Sequence, residues 1–143
     1  FATLHTQSAG STIDRVIDVY PPHQQDQVRT QLASTLQGVV CQTLVKKANG
    51  QGREVATEIM FSNSAIGNLI REGKTYQVAS VLQSGSAQGM HSLDQALAGM
   101  VNENRITYAA ALEKSQDPET LQRLVQRVEL GGQASRGQMA GVA

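Results

Sequence analysis

The sequence predicts an α/β fold. Two β-rich segments, Cys41 to Lys47 and Val55 to Phe61, flank the turn signal Asn49-Gly50-Gln51-Gly52, which is the pattern of a hairpin. Apolar residues recur at helical spacing on both sides of it. A strand-like opening, Phe1 to Leu4, completes the order: strand, two helices, hairpin, then helices.

At 143 residues the chain has the length of one domain. A chain of this size buries roughly 68–70% of its unfolded surface, so it can fold without a disulfide or a metal. Twelve Lys and Arg balance twelve Asp and Glu. That balance argues against nucleic acid or an anionic membrane as partner, since both require clustered positive charge. Cys41 is the single cysteine, which excludes an intrachain disulfide and a cysteine-based structural zinc site. No run reaches the roughly 18–20 apolar residues of a membrane helix. There is no signal-like opening either, so the expected location is cytoplasmic. Phe1 opens a β-like stretch with nothing before it, so the chain reads as one that begins mid-domain.

Gln7 to Gly10 breaks the first strand. Ser11, with Asp14 three residues on, is the expected start of a helix carrying Ile13, Val16, Ile17 and Tyr20. Pro21-Pro22 stops it. A second helix is expected from about Gln24. Its stripe is Val28, Leu32, Leu36, Val39 and Val40, with Asp26 near its positive end and Gly38 weakening its last turns. In the hairpin, Val55, Thr57, Ile59 and Phe61 share one parity of the second strand. Asn63 or Ser64 caps the next helix, which carries Ile66, Leu69 and Ile70 and ends at Gly73. Gln77 to Leu82 allows one or two turns, and Ser84 to Gly89 is a loop. Ser92 with Gln95 starts a helix bearing Leu93, Ala96, Leu97, Met100 and Val101. Thr107 caps a short helix from Tyr108 to Lys114. Asp117-Pro118-Glu119 is a strong helix start, followed by Leu121, Leu124, Val125 and Val128. Gln133 to Ala143 has no periodicity and reads as disordered.

Chemistry is sparse. Gly67 to Thr75 approaches a phosphate-binding loop, but five residues separate Gly67 from Gly73 where that motif needs four. A glycine C-cap explains Gly73 better. Cys41 in a strand reads as a small buried hydrophobe. His5, His23 and His91 are far apart in sequence and make a weak metal triad. His5 and Thr6 follow a strand-like run, where open α/β sheets present ligand contacts. A hydrogen-bonded loop histidine is the plainer alternative, and the residue pattern favours it. The Ala65–Glu72 helix has an apolar face and a polar side of Asn68, Arg71 and Glu72. It is either a packed surface helix or an interaction helix.

Several short motifs then occur in a telling order. Phe1-Ala2-Thr3-Leu4-His5-Thr6 resembles the second half of a His box, with His5 as its second histidine. Gln42-Thr43-Leu44, Gly50-Gln51-Gly52-Arg53 and Glu58-Ile59-Met60 follow. Ala65 to Glu72 is similar to the signature Ala-Ile-Arg-Asn-Leu-Ile-Arg-Glu, with Gly67 in place of the first Arg. Gly89-Met90 and Leu93-Asp94-Gln95 come next. By these residues, from Phe1 to roughly Gln116, the chain resembles the C-terminal part of PilT-like type IV pilus retraction ATPases, within the secretion ATPase superfamily. Extension-type and type II secretion relatives usually carry a four-cysteine zinc module here, which a chain with Cys41 alone cannot build.

The resemblance implies the C-terminal portion of a RecA-like P-loop ATPase domain followed by a C-terminal helical layer. Residues 1–61 would end the ATPase core, 62–130 would form the helical subdomain, and 131–143 the tail. It implies an ATP-driven homo-hexamer with Mg²⁺, seated at the inner-membrane base of the pilus against a platform protein and not itself inserted in the membrane. The family's P-loop and Walker B acid lie upstream of the His box, so these residues lack them. His5, with Thr6 beside it, would sense the γ-phosphate. Ala65, Ile66, Asn68, Leu69, Ile70, Arg71 and Glu72 would form the motor motif, and Gly52, Arg53 and Glu58 the hairpin motif. A non-catalytic adaptor-like paralogue and an extension-type or type II secretion motor remain alternatives. Phosphoryl transfer needs a phosphate loop, its lysine and Mg²⁺ together, and a His-Thr pair does not replace them. Calorimetric titration of this chain with MgATP is therefore expected to show no binding; micromolar affinity would return Gly67 and Gly73 to a phosphate-binding role.

Overall fold

The computed structural model describes residues 1–125. The expected tail lies outside them. Phe1 to Thr6 carries no regular secondary structure, against the expected strand. A strand needs a neighbour for its backbone groups, and the sheet among the described residues is the two-stranded β1–β2 pair.

Local capping starts α1 (Ala9–Asp18). Ser8, not Ser11, is the N-cap. The Ser8 hydroxyl accepts from the Ser11 N–H, and the Ser11 hydroxyl accepts from the Ser8 N–H, each at 3.1 Å. The two serines form a reciprocal box three residues earlier than expected. Asp14, the expected partner of Ser11, instead receives the Thr75 hydroxyl at 2.8 and 3.0 Å on its two oxygens. Pro22 opens α2 (Pro22–Thr35) at the first helical position, where a missing N–H costs nothing. The proline pair therefore starts a helix as well as ending one.

The stripe expected to run on through Val39 and Val40 is broken. Leu36 leaves helical dihedrals at ψ 126°, and both valines belong to β1 (Gly38–Lys46). Gly38 is the first residue of this strand, and a Cβ there would stand 2.7 Å from the Met60 carbonyl of the facing strand. β2 (Arg53–Phe61) returns antiparallel after the Asn49–Gly52 turn, where Gly50 and Gly52 hold φ of 74° and 79°. Asn49 accepts the Gln51 N–H through its side chain at 2.9 Å.

In β2 the buried parity is the opposite of the more apolar one. Cys41, Val45, Ala56, Glu58 and Met60 are buried, while Val40, Leu44, Val55 and Phe61 are about half or more exposed. Helices pack on the face that carries the smaller side chains and the glutamate. Hydrophobicity along β2 alone points the other way.

The chain forms two compact units, and the hairpin runs through both. The first comprises residues 1–43 and 57–92. Its core joins Ile13 and Ile17 of α1, Met60 of β2, Ile66 and Ile70 of α3 (Ser64–Arg71), and Leu82 of α4 (Val78–Ser84). Asn63 caps α3 by accepting the Ile66 N–H at 2.9 Å, and Gly73 ends it at φ 68°. His91 bonds Ile59 in both directions, N–H to carbonyl, on the outer side of β2.

The second unit comprises residues 44–56 and those from Leu93 on. Its core joins Val45 and Ala56 to Leu97 of α5 (Leu93–Asn102), Ala111 of α6 (Tyr108–Leu112), Ile106 and Leu121. Thr107 caps α6 as expected, accepting the Ala110 N–H at 3.1 Å. Asp117 caps the helical residues 118–125 through the Glu119 and Thr120 N–H groups. The buried Asp94 carboxylate orders the approach to that helix, accepting from the Ser115 hydroxyl at 2.7 Å and the Gln116 and Asp117 N–H groups at 3.1 and 3.0 Å.

Two helical glycines behave oppositely. A Cβ on Gly10 would meet the Thr75 carbonyl oxygen at 3.0 Å, and Thr75 is itself pinned by Asp14. A Cβ on Gly67 would meet only the flexible Arg71 end at 3.4 Å and the Ala33 carbonyl at 3.6 Å. Denaturant melts should show Gly10→Ala losing about 1–2 kcal/mol by overpacking. Gly67→Ala should gain about 0.5–1 kcal/mol from helix propensity.

Candidate functional site

Two candidates of the first unit, Thr6 and Glu58, meet around the start of α1. Thr6 lies three residues before the helix, and its hydroxyl pairs with that of Thr12 at 2.7 Å. Thr12 also donates to the Ser8 carbonyl at 2.8 Å and lies 3.8 Å from the Cys41 sulfur. Glu58, from β2, accepts the Ala9 N–H at 2.7 Å. Glu58 is 2% exposed, so its carboxyl group lies inside the fold, at the helix end that favours negative charge. His5 is exposed and stands next to Thr6 in the chain.

α3 presents Ala65, Asn68, Arg71 and Glu72 outward, with Ile66, Gly67 and Ile70 buried and Leu69 half-buried. Arg71 donates to the Asn68 side chain at 3.1 Å, and Glu72 pairs with Lys74 at 2.8 Å. The helix takes up the first part of the Gly67–Thr75 segment that approaches a phosphate loop, as far as Arg71. Glu72 is its C-cap and Gly73 the left-handed residue that follows, with the Lys74 N–H returning to the Leu69 carbonyl at 2.9 Å. Gly52 and Arg53 belong to the second unit. Arg53 lines a shallow recess with Lys46, Glu113 and Lys114. Beside it in sequence, the Arg105 hydrogen bond holds the Glu54 carboxyl below its ordinary range.

The three histidines serve separate ends. His91 Nε2 lies 3.0 Å from the Thr57 hydroxyl, and His23 lies on the surface beside Gln24. Among the described residues no cluster of three His, Cys, Asp or Glu could hold a metal. Asp14, Glu58 and Asp94 are each taken up by donors of the fold, so these residues do not fit a Mg²⁺ site. No described helix is long and apolar enough to cross a membrane. The structural part of Glu58 and the link from Thr12 to Thr6 are not visible in the spacing of motifs. One signal does exist: a glutamate at the same strand parity as Ala56 and Met60.

The architecture has known counterparts. No family model matches the chain. The type IV pilus retractation ATPase PilT of Pseudomonas aeruginosa is 49% identical over 119 residues, covering 83% of this chain and 34% of that protein. A twitching motility protein of Neisseria gonorrhoeae is 42% identical over 121 residues, covering 85% and 32%. The chain belongs to the PilT-like ATPase family. A crystal structure of the pilus retraction motor PilT with bound ADP superposes with a TM-score of 0.73 at 42% identity, covering 84% of this chain and 33% of that one. The matched region is the C-terminal part of the PilT structure. The chain spans about a third of the length of the curated PilT-like relatives it matches.

Cys41 supplies a local test. Burial pushes its thiol above the ordinary 9.0, the Thr12 hydrogen bond lowers it, and the Glu58 charge raises it. The folded chain therefore keeps a proton that the unfolded chain releases above about pH 9. Stability contributed by that proton is present below this range and is lost as pH rises through it. Thiol labelling should be slow in the folded protein at pH 8 and fast in urea, and Cys41→Ala should flatten the alkaline fall in stability. Equal labelling rates in both states would place Cys41 at the surface.

Proposed function

We propose that this chain is the C-terminal part of a hexameric motor ATPase that powers type IV pilus retraction and twitching motility. The observation that carries this is the 49% identity to a retraction ATPase over 83% of the chain. The superposition on an ADP-bound retraction motor supports it. The lone Cys41 favours retraction over zinc-bearing extension relatives. In this reading residues 1–61 close the nucleotide-binding core, and the helical subdomain begins at residue 62.

His5 and Thr6 are then the second half of the His box. An exposed imidazole at this position reaches the γ-phosphate of a nucleotide held by residues outside this chain. Catalysis of phosphoryl transfer is mostly positioning and electrostatics, so an imidazole that reports the γ-phosphate tunes turnover without supplying a covalent step. When bound, Mg²⁺ would neutralise phosphate charge, and its ligands lie outside the described residues. The outward face of α3, with Asn68, Arg71 and Glu72, is the surface that passes motion to a neighbouring subunit or to the platform protein at the cytoplasmic base of the pilus. Gly52, Arg53 and Glu58 are then the hairpin motif.

The test is steady-state ATP turnover of the full-length motor. His5→Ala should lower kcat by roughly 10²-fold, the usual cost of removing one positioned polar group, with the melting temperature unchanged. Turnover equal to that of the unaltered protein would remove His5 from the nucleotide site.

A further inference from the structure

The first N–H groups of a helix have no partner within the helix and usually face water or a local cap. In α1 the local cap is complete: Ser8 and Ser11 satisfy each other. The Ala9 N–H is met instead by Glu58, 49 residues away in sequence, at 2.7 Å. A carboxylate that is 2% exposed is unfavourable unless it is strongly hydrogen-bonded, and the positive end of a helix is where such a bond is strongest.

A second tether leads from the same turn to the chain in front of it. Thr12, one turn into α1, holds the Ser8 carbonyl and pairs with Thr6 at 2.7 Å. It also faces Cys41 of β1, on the hairpin face that carries Glu58. Glu58 thus pins the first turn of α1 to the hairpin, and Thr12 ties Thr6 to that turn. His5 is the next residue.

We propose that Glu58 is a positioning residue for the His5–Thr6 segment: its bond to the Ala9 N–H sets where the helix start stands on the hairpin, and so where the imidazole meets the nucleotide. This rests on the assignment of His5 to the nucleotide site in the preceding section. Glu58 touches no reacting atom.

The experiment uses the full-length motor with Glu58→Ala, Glu58→Gln, Thr12→Val, His5→Ala and the His5→Ala/Glu58→Ala double variant. Turnover, KM for ATP, affinity for a fluorescent ADP analogue and melting temperature are measured for each. Glu58→Ala and Thr12→Val should each lower kcat roughly 10-fold at unchanged ADP affinity. Glu58→Gln keeps an acceptor oxygen for Ala9 and should restore most of the turnover. Adding Glu58→Ala to His5→Ala should cause no further loss, because both act through one group. If Glu58→Ala does not fold, Thr12→Val carries the same comparison without a buried vacancy of charge. Normal turnover in the folded Thr12→Val and Glu58→Gln variants, with failure of Glu58→Ala to fold, would make Glu58 purely structural and overturn the proposal. So would losses that multiply in the double variant. A slow His5→Ala beside fast folded Glu58→Ala and Thr12→Val sinks this inference alone. Unchanged turnover in His5→Ala sinks the nucleotide-site assignment and the inference together.

Discussion

The first unit depends on one buried hydrogen bond, from the Ala9 N–H to the Glu58 carboxylate. A glutamate on the inner face of a hairpin is a strong constraint. An unpaired carboxylate there would cost several kcal/mol, while a charged hydrogen bond contributes about 1.5–3. One geometry that satisfies it puts a helix N-terminus against the strand. α1 meets that requirement, with Ile13 and Ile17 descending from the same helix into the core beside Met60. Polar satisfaction and apolar burial therefore select the same docking of α1.

The hairpin has a second consequence. Along its buried parity, Met60 joins the first core, while Val45 and Ala56 join the second. Two units share one pair of strands, each drawing on a different part of its length. Each unit also has a carboxylate that organises backbone: Glu58 at α1 in the first, and Asp94 at residues 115–117 in the second. In both cases a buried acid is made tolerable by N–H or O–H donors from a chain segment distant in sequence. Membership of the PilT-like family gives these contacts their setting. The same segment carries the His5–Thr6 pair and the outward face of α3.

Much of the local structure was legible because its causes are local. The caps at Asn63, Thr107 and Asp117, the Gly73 stop and the Asn49–Gly52 turn each follow from two or three neighbouring residues. The start of α1 misled because two serines three apart, Ser8 and Ser11, can each begin a helix, and the reciprocal box decides for the earlier. α2 misled at its end because Val39 and Val40 fit a helical stripe and a strand equally well. The candidate site was legible as motif, through His5, Thr6 and the Ala65–Glu72 helix. Its wiring was not, since Thr6–Thr12 and Ala9–Glu58 join residues that no spacing rule relates.

The sequence by itself determined the α/β class, the hairpin, the order of helices and the resemblance to pilus retraction ATPases. Those rest on caps, turns, periodicity and ordered motifs, all read over short distances. Tertiary structure alone decided which face of the hairpin is buried and whether Phe1 to Leu4 pairs as a strand. It alone made Glu58 an inner anchor rather than a surface charge. The reason is physical: a strand's two faces and a carboxylate's surroundings are set by what packs against them, and in this chain the packing partner of Glu58 starts 49 residues earlier.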